Sequence, residues 1–232
     1  MLNKLKGIIK SRLVDAGYYG FDTDVRLSYS QMGEDLFLES IFLNRNDGFY
    51  IDIGAFDPKL YSNTYIFYLK GWTGINIDAR PKSMVAFKKK RPRDINIEAA
   101  VSNKIAKKLY FMSDAPALNT LSTKRAREIP RLTEYKIVEK KTLKTVRLKD
   151  VLNMHVPKDK KIDFMNVDVE GLDLDVLRSN DWNKFVPSIV VVESLQNKKS
   201  VKSKNSIDTF MKSKGYVLIA KLNVSHIYQL KK

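Results

Sequence analysis

The chain predicts an α/β fold: an open, mostly parallel sheet of seven strands, helices on both faces and a C-terminal antiparallel hairpin. Three observations predict it. From Phe49 onward, strands of buried character alternate with helical stretches, the pattern that builds a parallel sheet. The strand at 49–53 runs into a tight glycine turn with acids on both sides, Asp52-Ile53-Gly54-Ala55-Phe56-Asp57. The last two strands, at 216–222 and 226–230, are joined only by Asn223-Val224-Ser225, a link too short for anything but a hairpin.

In chain order, residues 2–16 read as a short amphipathic helix with Leu2, Leu5, Ile8, Ile9 and Leu13 on one face. Such a helix packs on its own domain or lies on an anionic membrane surface. Ser30 as N-cap, with Glu34 and Asp35 in the first turn, starts the next helix. After the strand at 49–53, Ser62 caps a helix at 63–70 that Gly71 closes. A strand at 74–78, a lysine-rich helix at 81–91 and a strand at 95–101 follow. Residues 108–112 alternate like an extra strand. Residues 113–136 have no clean period, although 123–131 suit a helix in a lid. A short strand at 145–148 leads to a small helix ending at Met154. The strand at 162–168 enters a helix at 171–178, and a strand at 188–193 and a helix at 206–214 precede the hairpin. The reading divides the chain into an N-terminal helical arm, 1–27, and one domain, 28–232, in which 113–136 form a lid or substrate insertion.

The chain has 232 residues, 44% of them hydrophobic, which suits one well-packed domain. No apolar run approaches the ~20 residues that span a bilayer. The basic start of the chain is too short and broken in its apolar part for a secretory signal. A cytoplasmic protein is expected, working there or at the inner membrane face. The absence of cysteine excludes disulfides, thiolate metal sites and cysteine nucleophiles. The net charge of +16 raises encounter rates with anions. Its lysine clusters are scattered and few carry interleaved aromatics, so nucleic acid is not the expected partner. Peripheral contact with an anionic membrane stays open.

In an open α/β sheet, strand ends line the crevice where nucleotides sit. Asp52 and Gly54 stand at one such end. Asp78 stands at the next, placed to accept hydrogen bonds from ribose hydroxyls. The dinucleotide pattern G-x-G-x-x-G is absent, and the terminal hairpin replaces the parallel strand with which dinucleotide-binding domains continue. That order is the Rossmann-like methyltransferase architecture.

A specific set of segments sharpens this. It comprises Ser30-Gln31-x-Gly33-Glu34-Asp35, Phe49-Tyr50-Ile51-Asp52-Ile53-Gly54-Ala55-x-Asp57-Pro58, Ser62-Asn63-Thr64-Tyr65 and Gly71-Trp72-x-Gly74-Ile75-Asn76-Ile77-Asp78. It continues with Arg91-Pro92-Arg93-Asp94-Ile95-Asn96, Ala100-Val101-Ser102, Asn119-Thr120-Leu121-Ser122 and Asp168-Val169-Glu170-Gly171. In this order, over roughly 28–193, the chain resembles the FkbM family of S-adenosylmethionine-dependent methyltransferases. Phe56 departs from the second glycine that many methyltransferases carry in the cofactor turn.

The resemblance implies O-methylation, usually of a sugar or polyketide hydroxyl, and in bacteria often within surface-polysaccharide biosynthesis. It implies that S-adenosylmethionine meets Asp52 and Gly54 at its methionine end, with Ala55 and Asp57 in the same turn. Asp78 would hold the ribose, Ala79 and Arg80 would lie beside the adenosine, and Ala100, Val101 and Ser102 near the adenine edge. The resemblance gives Gln31, Glu34 and Asp35 a role facing the cofactor or the substrate, with Gln31 assigned to the cofactor, whereas a helix start accounts for the two acids without any ligand. Asn63 and Thr64 cap their helix or face the substrate, and His226 reaches the mouth of the site. Asp168, which also touches the cofactor, is the first candidate for the base that takes the acceptor proton, with Glu193 as partner and Glu170 beside them. Carboxylates at adjacent strand ends, Asp168 and Glu193, can also hold Mg²⁺. The expected acceptor is a sugar or nucleotide sugar. Another small phosphorylated acceptor, an RNA-binding methyltransferase and a non-catalytic cofactor-binding protein are the alternatives.

Overall fold

The computed structural model describes residues 26–43, 45–194 and 206–231. The expected helix at 2–16, nearly all of the 1–27 arm and the whole of the lysine-rich stretch 198–204 lie outside the described residues. The first elements are α1 (Glu34–Ile41), β1 (Phe49–Ile53), α2 (Tyr65–Leu69), β2 (Thr73–Asp78), α3 (Met84–Lys90), β3 (Ile95–Glu98), β4 (Ala100–Val101) and β5 (Lys107–Ser113). After a 3-10 turn at Pro116–Leu118 come α4 (Thr123–Leu132), β6 (Ile137–Val146), α5 (Leu148–His155), β7 (Phe164–Val167), α6 (Asp173–Arg178), β8 (Ile189–Glu193), α7 (Ile207–Ser213), β9 (Tyr216–Leu222) and β10 (Ser225–Leu230).

Seven strands form the main sheet in the order β3-β2-β1-β7-β8-β10-β9. β3, β2, β1, β7 and β8 pair in parallel, and β10 runs antiparallel to both of its neighbours. The last strand thus inserts between β8 and β9, and β9 forms the edge. Both faces are covered, so the central strands read as continuous apolar runs. Alternation still decides which core each residue joins. Ile51, Ile53, Ile75, Ile77, Met165, Val167, Val190 and Val192 pack with α5, α6 and α7. Tyr50, Phe164, Ile189, Val191 and Ile227 pack with Leu38, Phe42, Phe67 and Trp72 on the other face. Burying each such side chain stabilises the fold by about 1.5–3 kcal/mol.

The second face also carries polar residues at the alternate positions, among them Asp52, Asn76 and Asn166. A buried network engages them, although Asn76 Oδ1 has no partner among the described residues. The fully buried Arg91 donates through Nε to Asp94 (2.8 Å), through Nη2 to the Tyr50 hydroxyl (2.7 Å) and through Nη1 to Thr64 Oγ1 (3.0 Å). Asp94 also accepts from Tyr50 Oη, Gly74 N and Asn76 Nδ2.

Four local features differ from the sequence reading. The strand expected at 95–101 breaks at Ala99, whose N–H bonds Asp78 O, and β4 joins a second sheet of order β4-β6-β5. The short strand expected at 145–148 is the end of the ten-residue β6, whose exposed stretch 138–142 shows no alternation because it faces solvent. Leu148 opens α5 instead of ending a strand. Ser30 does not occupy the N-cap of α1; Gly33 does, in the left-handed region (φ 83°). Ser28 Oγ, Ser30 Oγ and Tyr29 N all donate to the buried Asp35, which explains that acid without any ligand.

Candidate active site

Strand order reverses between β1 and β7, and ligands of open α/β sheets bind beyond the carboxyl ends of strands at such a switch point. The chain meets itself closely there. Gly54 adopts φ 85°, and a Cβ built on it would lie 1.6 Å from the carbonyl oxygen of Asp168. Asp168 N in turn donates to Ile53 O at 2.9 Å. Glycine is required at 54 because the backbone of another loop occupies the side-chain position.

Two pockets share this junction. One, a cleft of about 560 Å³, extends from Gly54 and Asp168 past Asp78 and Ala79 to Ala99 and Val101. Tyr110, Asn119, Thr120 and Leu121 roof it. The other, of about 590 Å³, is lined by Gln31, Glu34, Tyr61, Asn63, Leu118, Glu193 and Ser225. Gly54, Phe56, Ala117, Asp168 and Glu170 line both.

Several expected residues come together here. Asp78 ends β2 at the first cleft, accepting from Phe56 N (3.0 Å) and Arg80 N (2.7 Å). Burial raises the pKa of its carboxyl. Ala79 and Val101 line the same cleft. Arg80 donates from Nη2 to Phe56 O, and its buried Nε has no acceptor among the described residues. Gln31 and Asn63 line the second pocket, where Asn63 also donates to Asn166 Oδ1.

Others are placed elsewhere. Asp52 is the fourth residue of β1, not its end, and sits in register between Asn76 and Asn166. Its carboxylate accepts from Thr64 Oγ1 (2.8 Å) and Asn166 Nδ2 (2.9 Å), so it faces the second core and lines neither pocket. Thr64 is committed to Asp52 and Arg91. Ala55 packs against Met84 and Phe87. Asp57 caps its own turn by accepting from Lys59 N and Leu60 N. Ala100 is buried outside both pockets, and Ser102 accepts from Lys108 Nζ. His226 points to Asp208 and Tyr228, and its neighbour Ser225, on the opposite face of β10, lines the second pocket.

The electrostatics of the junction are acidic. Asp168 opens on both pockets, while protein atoms crowd its other sides; burial and the neighbouring Asp173, Glu170 and Asp52 push its pKa well above the carboxylate range. Burial, then Asp168 and Glu170, push Glu193 up to about 11. Burial also raises Glu170, opposed by the Arg125 guanidinium 2.9 Å away. Asp173, which receives Val169 N and Gly171 N, is raised to about 7 by burial. Neither pocket is lined by a lysine or arginine among the described residues.

The family profile described as "Methyltransferase FkbM domain" matches residues 52–218, well over half of the chain. The chain belongs to the FkbM methyltransferase family. Among solved structures, the chain is similar to the methyltransferase FkbM from Methylobacillus flagellatus KT, with a TM-score of 0.50 and 10% identity over 87% of this chain. It spans about half of that protein, 48% of its length, and the likeness speaks for the fold alone. A TehB-like SAM-dependent methyltransferase from Corynebacterium glutamicum ATCC 13032 Kitasato matches with a TM-score of 0.39 and 8% identity, covering 97% of this chain and 100% of that one. No curated protein sequence matches the chain.

The pockets are lined by residues that sequence reasoning did not assign. Tyr61 and Ser225 have no motif of their own. Tyr110 and Leu118 sit in or beside the stretch without a period. Arg125 reaches the site only because Ser122 caps α4, accepting from Arg125 N, and Thr120 Oγ1 bonds Glu170 O. Phe56 adopts φ 52°, in the left-handed region that favours glycine. Its ring stacks on Tyr61 (6.2 Å between centroids) and lies under the Arg80 guanidinium (5.4 Å). It is therefore a wall shared by the two pockets.

Proposed function

We propose that this FkbM methyltransferase uses S-adenosylmethionine to methylate a sugar hydroxyl, on a nucleotide-linked or otherwise phosphorylated sugar of bacterial surface-polysaccharide biosynthesis. The meeting of two pockets at Gly54 and Asp168 carries this reading. It gives a cofactor and an acceptor separate seats with one contact point, and in-line transfer is chiefly a matter of such positioning. When bound, S-adenosylmethionine supplies a methyl group on a positively charged sulfur.

The residues present fit it. Each Asp78 oxygen accepts one backbone N–H and has capacity left for a ribose hydroxyl. Asn119 Nδ2, buried at the roof, lacks an acceptor among the described residues and can donate to the ligand. The acids at the junction favour a positive sulfur, and a positive neighbour favours their ionised forms. Asp168 then receives the proton of the acceptor hydroxyl, with Glu193 beside it as its partner. The hydroxyl oxygen forms the new O–CH3 bond as the C–S bond breaks, and the electron pair leaves with sulfur as a neutral thioether.

Beyond Tyr61 a third hollow holds Lys59 and Lys90, which favours a phosphorylated acceptor over a neutral one. It serves equally for another small phosphorylated compound. The acidic mouths disfavour RNA. No helix among the described residues is long and apolar enough to cross a membrane; a cytoplasmic location with peripheral contact to an anionic membrane face rests on the charge of +16.

S-adenosylhomocysteine at millimolar concentration is expected to raise the melting temperature, and Asp78→Ala to abolish that rise. Absence of any shift in the parent protein overturns the cofactor assignment. With the cofactor and a panel of nucleotide sugars, a product heavier by one CH2 identifies the acceptor.

A further inference from the structure

Resting on the methyl-transfer reading, we infer that Asp168, Glu170 and Glu193 form a divalent-cation site at the junction, on which the acceptor hydroxyl is held. The three carboxylates each offer an oxygen, all within 4.8 Å of one another. Ligands on opposite sides of a hard cation lie twice the metal–oxygen distance apart, roughly 4.2 Å for Mg²⁺ and roughly 4.8 Å for Ca²⁺. The cluster is no wider than the coordination sphere of Ca²⁺ and needs only a small inward shift of its side chains for Mg²⁺. Adjacent parallel strands bring it together: Asp168 follows β7, Glu193 ends β8, and the two strands pair in register.

A second observation points to a ligand. Glu193 is only 8% exposed, and its buried Oε2 has no hydrogen-bond partner among the described residues. Other buried acids here are satisfied. Asp52 has Thr64 and Asn166, Asp94 has Arg91 and Tyr50, and Asp173 has two backbone N–H groups. A buried polar group left without a partner calls for a specific explanation. Glu193 itself lines the pocket that Asp168 shares.

The charges also match. Arg125 already compensates Glu170, as a salt bridge of 2.9 Å. That leaves two carboxylates, Asp168 and Glu193, for one doubly charged ion. All-oxygen donors select Mg²⁺, Ca²⁺ or Mn²⁺ over softer metals. Bound there, the ion draws the acceptor oxygen toward the cofactor side and makes its hydroxyl a better acid. The proton passes to a carboxylate oxygen that is not engaged on the ion, and the methyl transfer balances as written above.

The test uses Mn²⁺ as a spectroscopic probe, without any S-adenosyl compound. Electron paramagnetic resonance is expected to show saturable binding of one Mn²⁺ per chain. Glu193→Gln and Asp168→Asn should each weaken it at least tenfold, and Glu170→Gln by a smaller factor. Glu193→Gln should melt in EDTA no lower than the parent, because it removes a carboxylate oxygen without a partner. No saturable uptake at millimolar Mn²⁺, or uptake indifferent to these substitutions, overturns the site. The S-adenosylhomocysteine shift, measured in EDTA, separates the two readings. A shift that persists without Mn²⁺ binding leaves the cofactor and removes the cation; Mn²⁺ binding without the shift does the reverse.

Discussion

Gly54 shows how little freedom single positions at the junction have. Its φ of 85° costs an ordinary residue about 1–2 kcal/mol, and the Asp168 carbonyl would have to leave the space a methyl needs. Gly54→Ala is therefore expected to destabilise the protein by at least ~2 kcal/mol in urea unfolding and to weaken S-adenosylhomocysteine binding. A stable variant with unchanged binding would sink the account. The importance of Gly54 was legible in the sequence, but its cause was not: the turn pattern announces a glycine, and only the fold supplies the second loop that excludes a side chain. Asp78 and Asp168 were legible because they stand at or just beyond strand ends. Asp52 misleads for a related reason. One further strand residue, Ile53, follows it, and that turns its carboxylate into the sheet. Ser225 and Tyr61 carry no local signal, since their place depends on which strands become neighbours.

At the level of elements, Arg91 joins the end of α3 to β1, to the start of α2 and to the loop before β3 through Tyr50, Thr64 and Asp94. Removing one partner of a buried pair leaves the other charge uncompensated, at a cost of about 3–5 kcal/mol. Arg91→Met is expected to lose that much in urea unfolding. Arg91→Lys should recover little, because one ammonium cannot serve three partners in a fixed fork. A loss below ~1 kcal/mol would show the network to be dispensable. The motif Arg91-Pro92-Arg93-Asp94 was visible in the sequence, but its work lies in the core. β6 shows the opposite failure. Its lysines and Thr142 face solvent while Thr145 is buried, so neither period is present to read, and only its pairing with β5 and β4 makes it a strand.

Across the whole molecule, the charge of +16 and the acidic junction occupy different places. Long-range attraction belongs to the surface, and short-range selection belongs to the pockets. For a phosphorylated acceptor, kcat/KM is expected to fall several-fold between low and roughly 0.5 M salt, as screening shortens the reach of the surface field. An uncharged acceptor analogue should show little change. Equal salt sensitivity of both would place the effect in folding or cofactor binding instead. The parallel core and the hairpin were legible because burial on two faces writes itself into composition. The second sheet was not, because it is thin, polar outside and anchored by the two-residue strand β4.

That second sheet has an evolutionary consequence. The stretch from Tyr110 to Leu121 roofs one pocket and walls the other, while the strand-end acids belong to the main sheet. Acceptor preference can drift by substitutions in this one contiguous stretch without disturbing the chemistry beneath it. Ala117 alone in this stretch lines both pockets, so a substitution there is expected to reshape the two together.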